Sequence, residues 1–199
     1  MDAKPDILIE TPSQTAGPYV HIGCIPSFAG IKDIYDPQIG QNAFEQGAKG
    51  EIITITGIIT DGAGDAVCDA MLEAWQADAN GYFHGDKAAD PKVSGFSRFA
   101  TDVKTGAFEF TTIKPGVVRN RNTNKMAPHI CLWIAARGIN IGLQTRIYFD
   151  DEDNSNDPIF VKIADPQRAA TLIAKRIGDG QYRFDIRLQG DAETVFLDL

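Results

Sequence analysis

Residues 51–60 read EIITITGIIT, a run of β-branched side chains that is typical of a β-strand. From there to the C-terminus the sequence continues as short runs of this kind, separated by Gly, Asp and Asn. Such a series favours two packed sheets over alternating strands and helices. We therefore predict an all-β fold, a β-sandwich of about seven or more mostly antiparallel strands with an extended N-terminal arm and one or two short helices. The predicted strands are residues 51–60, 70–77, 107–113, 129–136, 144–149, 182–188 and 194–198.

Turn signals fall between or beside these runs, where residues that tolerate a positive φ close tight turns. They are Asp61-Gly62, Asn80-Gly81, Thr105-Gly106 and Asp179-Gly180. Helix signals are weaker and predict one short helix over residues 166–176. Asp165 suits the N-cap, Pro166 suits the first helical position, and Lys175 and Arg176 lie at the end.

Residues 1–50 show neither strand alternation nor a long helical period. The Pro and Gly residues of the stretch TPSQTAGPYVHIG, residues 11–23, indicate an extended arm that must pack on something to be ordered. We expect residues 1–50 to form an N-terminal arm and irregular segment that packs on a partner, and residues 51–199 to form the sandwich as one domain.

Composition excludes several classes of partner. The 199 residues are 43% hydrophobic, enough for a sizeable core, and 19 Lys and Arg against 27 Asp and Glu give a net charge of −8. The sequence also lacks a cluster of five or six basic residues. Nucleic acid and anionic membranes are therefore poor partners.

The cysteines and the N-terminus bear on the compartment. Cys24, Cys68 and Cys131 are an odd number without CxxC spacing, which favours neither a disulfide framework nor a zinc ribbon and indicates a reducing compartment. The N-terminus has no apolar stretch like that of a signal peptide. The longest apolar run, residues 130–136, is far shorter than the roughly 20 residues of a membrane helix. We expect a soluble, cytoplasmic protein.

The densest candidate site is His129-Ile130-Cys131, because residues two apart on a strand point to one face and could share a metal ion. Tyr82 and His84 could add ligands from a loop. The alternative is a hydrogen-bonded core imidazole beside a buried thiol, and an isolated His-x-Cys favours that alternative.

Arg137 follows the same predicted strand, at a position where loops commonly build sites. Its guanidinium could bind a carboxylate in bidentate fashion. The alternative is a surface ion pair in an acidic protein.

Several long segments together resemble the α chains of the intradiol ring-cleavage dioxygenase family, in the branch that acts on protocatechuate (3,4-dihydroxybenzoate). The similarity extends from about residue 8 to the C-terminus. It rests on ETPSQTAGPYVHIG (10–23), LEAWQADANGYF (72–83), TIKPGVV (112–118), APHICLWIAARGIN (127–140), TRIYFDDE (145–152), LIAKR (172–176) and YRFDIRLQGDAETVFLDL (182–199).

The resemblance implies a β-sandwich that pairs with a homologous β chain in an (αβ)n oligomer, and O2-dependent cleavage of protocatechuate to 3-carboxy-cis,cis-muconate. It also implies that a non-haem Fe(III) is bound by the β chain through two tyrosines and two histidines. In this chain Tyr82 and His129 match two ligand positions, whereas Val118 and Cys131 occupy the other two. The resemblance therefore implies a relic site without metal.

The family's α chains contribute the outer wall of the substrate site. The residues that match here are Thr15, Gly17, Pro18 and Arg137. A guanidinium suits the carboxylate of protocatechuate, Gly17 leaves room for the ring, and Pro18 stiffens the arm. Two alternatives stay open: a catalytically silent assembly subunit with Arg137 in an interface ion pair, and an independent metalloenzyme that uses Tyr82, His84, His129 and Cys131.

Overall fold

Short strands dominate the computed structural model, which describes residues 12, 14–17, 19–119 and 125–198. The described part contains eleven strands and two α-helices, α1 (Tyr19–Cys24) and α2 (Pro166–Ala170), with 3-10 turns at Pro26–Ala29 and Phe160–Lys162. The strands are β1 (Ile52–Thr60), β2 (Met71–Gln76), β3 (Phe96–Ala100), β4 (Ala107–Ile113), β5 (Val118–Arg119), β6 (Lys125–Met126), β7 (His129–Ala135), β8 (Leu143–Phe149), β9 (Ile173–Gly178), β10 (Gln181–Arg183) and β11 (Ile186–Arg187).

Nine strands form one sheet in which β11, β1, β10, β9, β8, β7, β2 and β3 follow one another and β4 pairs with β1. Most pairings are antiparallel, but β1 runs parallel to β10 and β11, and β8 runs parallel to β9. A separate short ribbon joins β5 and β6. The predicted all-β sandwich with short helices is confirmed.

The core lies between two layers of this sheet. Inward side chains from β1, such as Ile53 and Ile55, pack in one cluster with Leu132 of β7, Ile147 of β8 and Tyr182 of β10. Their alternation with half-exposed Thr residues along β1 is the period of two that the sequence shows. A second cluster covers the outer face of β8, where Tyr148 packs with Leu172, Val195 and half-buried Phe160.

Five of the predicted strands form, each within a residue or two of its predicted bounds, and three expectations were wrong. The helix ends at Ala170, because the chain turns and continues as β9. The predicted strand 182–188 is interrupted between β10 and β11. Residues 194–198 form no strand, since they pack against β8 through single backbone contacts such as Leu197 N–H to Gln144 O, 2.8 Å. The arm contains α1, the second of the one or two short helices expected.

None of the helices in the described ranges is long and apolar enough to span a membrane.

Candidate functional site

The N-terminal arm meets the turn that follows β7. Thr15 Oγ1 accepts a hydrogen bond from the Gly138 N–H at 2.8 Å, and the same hydroxyl lies 3.4 Å from the carbonyl oxygen of Ala136. Two of the predicted substrate-binding residues, Thr15 and Arg137, are thereby brought together although more than 100 residues separate them in sequence. Pro18 lies outside the described residues.

Arg137 projects from this turn and pairs with Asp69, whose carboxylate contacts its Nε. The Arg137 side chain is 73% exposed, so the ion pair is of the weak surface kind. A guanidinium has five N–H donors, and the edge that carries the two Nη atoms can still receive a second carboxylate. The turn therefore presents the Arg137 guanidinium, which Asp69 holds through Nε alone.

His21 of α1 fixes the arm at the same corner. It is 8% exposed and stacks on Phe28 with ring centroids 4.4 Å apart. Burial lowers the pKa of His21, opposed by a hydrogen bond to the Ala70 backbone and by Asp69, while Arg137 adds to the lowering. A neutral imidazole is therefore favoured beside the Arg137–Asp69 pair.

Gly17, the third predicted wall residue, has open space beside it. A Cβ built at Gly17 would meet no heavy atom of the described residues within 4 Å, and the Gly17 carbonyl accepts from the Val20 N–H at 3.1 Å where α1 begins. The described part of the chain therefore gives no steric reason for glycine at this position.

A second cluster lies on the outer face of β7 and β8. His129 and Cys131 of β7 stand directly across from Tyr148 and Arg146 of β8. His129, Tyr148 and Arg146 are 3%, 0% and 7% exposed. Arg146 Nη1 lies 3.4 Å from the Tyr148 hydroxyl, which donates to Asp157 at 2.9 Å.

Burial and the charge of Arg146 set the protonation states in this cluster. Burial and then Arg146 lower the pKa of His129 to about 4, and Nδ1 lies 2.7 Å from the carbonyl oxygen of Ala127, to which it donates. Burial raises the pKa of the Cys131 thiol, although Arg146 opposes that shift. Burial also raises the pKa of Tyr148. All three groups are therefore neutral beside one permanent positive charge.

Tyr82 and Val118, the other two relic positions, line a cavity of about 380 Å³. Tyr82 is 43% exposed and lies on a loop organised by buried Asp78, whose Oδ1 accepts the backbone N–H groups of Asn80 and Tyr82. Gly81 has a φ of 83°, and a Cβ there would lie 1.9 Å from the Val117 carbonyl oxygen. The loop thus needs glycine to approach β5 closely.

The donor set of these four positions does not fit a ferric ion. Val118 has no donor atom and Cys131 is held as a protonated thiol, so only Tyr82 and His129 are suitable. Among the residues described, no three His, Cys, Asp or Glu side chains form a group that could hold a metal ion. His84 instead lies with Nδ1 3.2 Å from the Val93 carbonyl oxygen.

Two residues of these sites, Asp69 and Arg146, were not predicted from the sequence. Asp69 lies between Cys68 and Ala70 and gives no signal of its pairing with Arg137, which is 68 positions away. Arg146 had a signal, because it is the one charged residue of β8 and shares a face with Tyr148.

Comparisons with known proteins bear on the family of this chain. The model of a dioxygenase family matches residues 28–190. A protocatechuate 3,4-dioxygenase α chain of Pseudomonas putida is 48% identical over 97% of this chain and 98% of its own length. A protocatechuate 3,4-dioxygenase β chain of Burkholderia cepacia is 33% identical, over 80% of this chain and 74% of its own.

Among solved structures, 3-chlorocatechol 1,2-dioxygenase of Rhodococcus opacus 1CP superposes with a TM-score of 0.57 at 20% identity, over 73% of this chain and 62% of that one. At that identity the superposition establishes the shared sandwich alone. The family model and the two relatives go further, and the chain belongs to the intradiol ring-cleavage dioxygenase family.

Proposed function

We propose that this chain is the α subunit of a protocatechuate 3,4-dioxygenase. In the assembled enzyme, O2 is inserted between the two hydroxyl-bearing carbons of 3,4-dihydroxybenzoate, and the product is 3-carboxy-cis,cis-muconate. The Fe(III) is bound by the partner β chain, and Thr15, Gly17, Pro18 and Arg137 line the outer wall of the substrate site. Similarity to α chains over nearly the whole length supports the assignment.

The observation that carries the proposal is the hydrogen bond between Thr15 and Gly138, which docks the arm beside Arg137. A wall built this way offers a guanidinium for the substrate carboxylate and, at Gly17, a surface with no side chain. In a partly desolvated cleft, a charge-assisted contact of this kind both orients the ring and offsets the negative charge of the acid.

One observation favours a second candidate, a catalytically silent subunit that serves assembly. Arg137 already has an acidic partner in Asp69, as a purely structural arginine would. Because exposed ion pairs contribute at most about 1 kcal/mol, this pairing is too weak to prevent Arg137 from also binding a substrate. The two candidates differ in whether substrate affinity depends on the guanidinium.

The test is Arg137→Ala in the enzyme made by co-expression with the β chain, assayed by oxygen uptake. The variant should lower kcat/KM for protocatechuate about tenfold or more, because a charge-assisted hydrogen bond is worth about 1.5–3 kcal/mol. Catechol lacks the carboxylate, so its kcat/KM should barely change.

Arg183→Ala is the matched control, because Arg183 also forms a surface ion pair, with Asp185 at 2.6 Å, but lies on β10. Equal losses for both substrates with Arg137→Ala would assign Arg137 to assembly. Oxygen uptake absent from the wild-type pair would instead refute the enzyme assignment itself.

We further propose that the arm, residues 1–50, packs on the β chain and that the complex works in the cytoplasm. Three free thiols support a reducing compartment. Obligate interfaces commonly bury more than about 2,000 Å², so the β chain should co-purify with this chain through size-exclusion chromatography. Elution of separate monomers at micromolar concentration would contradict the shared site.

A further inference from the structure

Arg146 lies beside two of the relic positions. It faces Cys131 across the β7–β8 ladder, and its charge acts on the neighbouring His129 as well. Its Nη1 also lies 3.8 Å from the sulfur of Met126, which pairs with Val118, a third relic position, across the β5–β6 ribbon. The guanidinium contributes to the lowered pKa of His129 and opposes the raised pKa of Cys131.

The surroundings of Arg146 leave its charge incompletely neutralised. Arg146 is only 7% exposed, and its Nε has no hydrogen-bond partner among the described residues. The nearest carboxylate in its network, Asp157, reaches it only through the Tyr148 hydroxyl. Asp157 also accepts the Ala127 N–H, so its charge is shared with the backbone.

We propose that Arg146 acts as a fixed cation beside the relic positions His129 and Cys131 and excludes metal ions from them. A guanidinium stays protonated at every physiological pH, and a buried charge is poorly screened by solvent. A multivalent cation bound at His129 and residue 131 would meet this charge at close range, which costs far more in a protein interior than in water. Metal binding is thus opposed twice, by the loss of ligands at Val118 and Cys131 and by the charge of Arg146.

Two separate causes would keep iron from the relic positions, namely the two missing ligands and the charge of Arg146. If missing ligands alone are responsible, then restoring a phenolate and an imidazole restores the site. If Arg146 also excludes metal, the restored ligands are insufficient until its charge is removed. The exclusion of metal by Arg146 involves side chains of this chain alone. It does not depend on whether the N-terminal arm lines a substrate site.

The test uses the full chain with Val118→Tyr and Cys131→His, exposed to Fe(II) in air. The double variant should remain essentially iron-free and colourless. Adding Arg146→Gln should give about one iron per chain and a visible tyrosinate-to-iron absorption band, since phenolates and imidazoles suit Fe(III). Gln keeps an N–H donor for the Tyr148 hydroxyl and removes the charge.

Arg146→Lys on the same double variant is the matched control, because Lys retains the charge while changing the shape. It should remain iron-free like the double variant. Stoichiometric iron in the double variant, or equal iron in the Gln and Lys triple variants, would overturn the proposal. Circular dichroism of each variant verifies the fold.

A smaller change keeps the test decisive if the triple variants misfold. With Cys131→His alone, Co²⁺ is the probe and its visible absorption reports binding. Cys131→His with Arg146→Gln should bind Co²⁺ at least about a hundredfold more tightly than Cys131→His with Arg146→Lys. Equal dissociation constants would show that the charge of residue 146 does not control metal binding.

Discussion

At the scale of single residues, Asp69 is the group that decides how Arg137 is presented. The Asp69 carboxylate contacts Nε of Arg137, so the two Nη atoms on the other edge of the guanidinium can still donate to a second carboxylate. If that orientation serves substrate binding, Asp69→Asn should lower kcat/KM for protocatechuate about two- to fivefold, in keeping with an exposed pair worth up to about 1 kcal/mol. Steady-state kinetics should show catechol turnover unchanged.

Asp179→Asn is the control for that variant, because Asp179 pairs with Arg176 at 3.1 Å on a fully exposed turn far along the chain. It should alter neither substrate. Identical effects of Asp69→Asn on protocatechuate and catechol would mean that Asp69 supports the fold of the turn and not the presentation of Arg137.

Gly17 provides a second residue-scale prediction. Since a Cβ there meets no described residue within 4 Å, Gly17→Val should leave the unfolding midpoint of this chain unchanged. In the assembled enzyme the added isopropyl group should raise KM for protocatechuate at least about threefold, because it narrows the space for the ring. Gly23→Ala, which also meets open space, should leave KM unchanged. An unaltered KM in Gly17→Val would remove Gly17 from the substrate wall.

At the scale of elements, Lys114 joins the end of β4 to the segment after β8. Its Nζ contacts Asp151 at 3.0 Å and Glu152 at 2.8 Å, and it lies 5.6 Å from the centre of the Tyr182 ring on β10. Burial alone would lower the pKa of Lys114, but hydrogen bonds to Glu152, Asp151 and Tyr182 raise it. The charged form is therefore strongly favoured in the folded chain.

Lys114→Met should reduce the free energy of unfolding by about 2–3 kcal/mol, because it leaves two partly buried carboxylates without their cation. Lys175→Met is the control, since Lys175 Nζ lies 4.0 Å from Asp150 with a side chain 63% exposed, and it should cost less than about 0.5 kcal/mol. Urea unfolding measures both. A cost for Lys114→Met as small as that for Lys175→Met would mean that the network contributes no stability.

The strands that the sequence predicts are those with a regular alternation of apolar and polar residues. β1 shows this period because one face is buried along its full length. β3 was missed because its pattern is inverted in places: Ser97 is buried, whereas Phe96 points outward and packs on Trp75. The helix prediction continued too far because periodicity cannot separate a short helix from the strand that follows it.

The candidate site was predictable to the extent that it lies in contiguous motifs. His129, Cys131 and Arg137 are placed by β7 and its turn, and Thr15 by the arm. Their pairings with Asp69 and Arg146 were not predictable, since these two residues come from other strands or loops and are set beside them only by sheet register and tertiary packing, although Arg146 is conspicuous within its own strand. The protonation states of His129 and Cys131 could not be predicted from the sequence, because they depend on burial.

At the scale of the whole molecule, His129 couples stability to pH. Its folded pKa of about 4 lies below the unfolded value of 6.5, so the unfolded chain binds a proton more readily. The stability that this group contributes is complete above about pH 6.5 and is lost as the pH falls towards 4. Between pH 7.5 and 5 the free energy of unfolding should drop by about 1–2 kcal/mol through His129.

Urea denaturation at a series of pH values, with His129→Asn for comparison, measures this contribution. Asn keeps an N–H donor for the Ala127 carbonyl but does not titrate, so the variant should lose less stability over this range. His84→Asn serves as the control because His84 is exposed. Parallel pH curves for the wild type and His129→Asn would contradict the assignment.

The position of β1 has a consequence for synthesis. β1 lies beside β10 and β11, which leave the ribosome about 120 residues after it. Until then one edge of an apolar strand has no neighbour to pair with, and such edges recruit other chains. Folds that depend on pairings this distant in sequence also form slowly. The nascent chain is therefore most vulnerable to aggregation during translation, and slower synthesis at low temperature, with the β chain already present, should improve its yield.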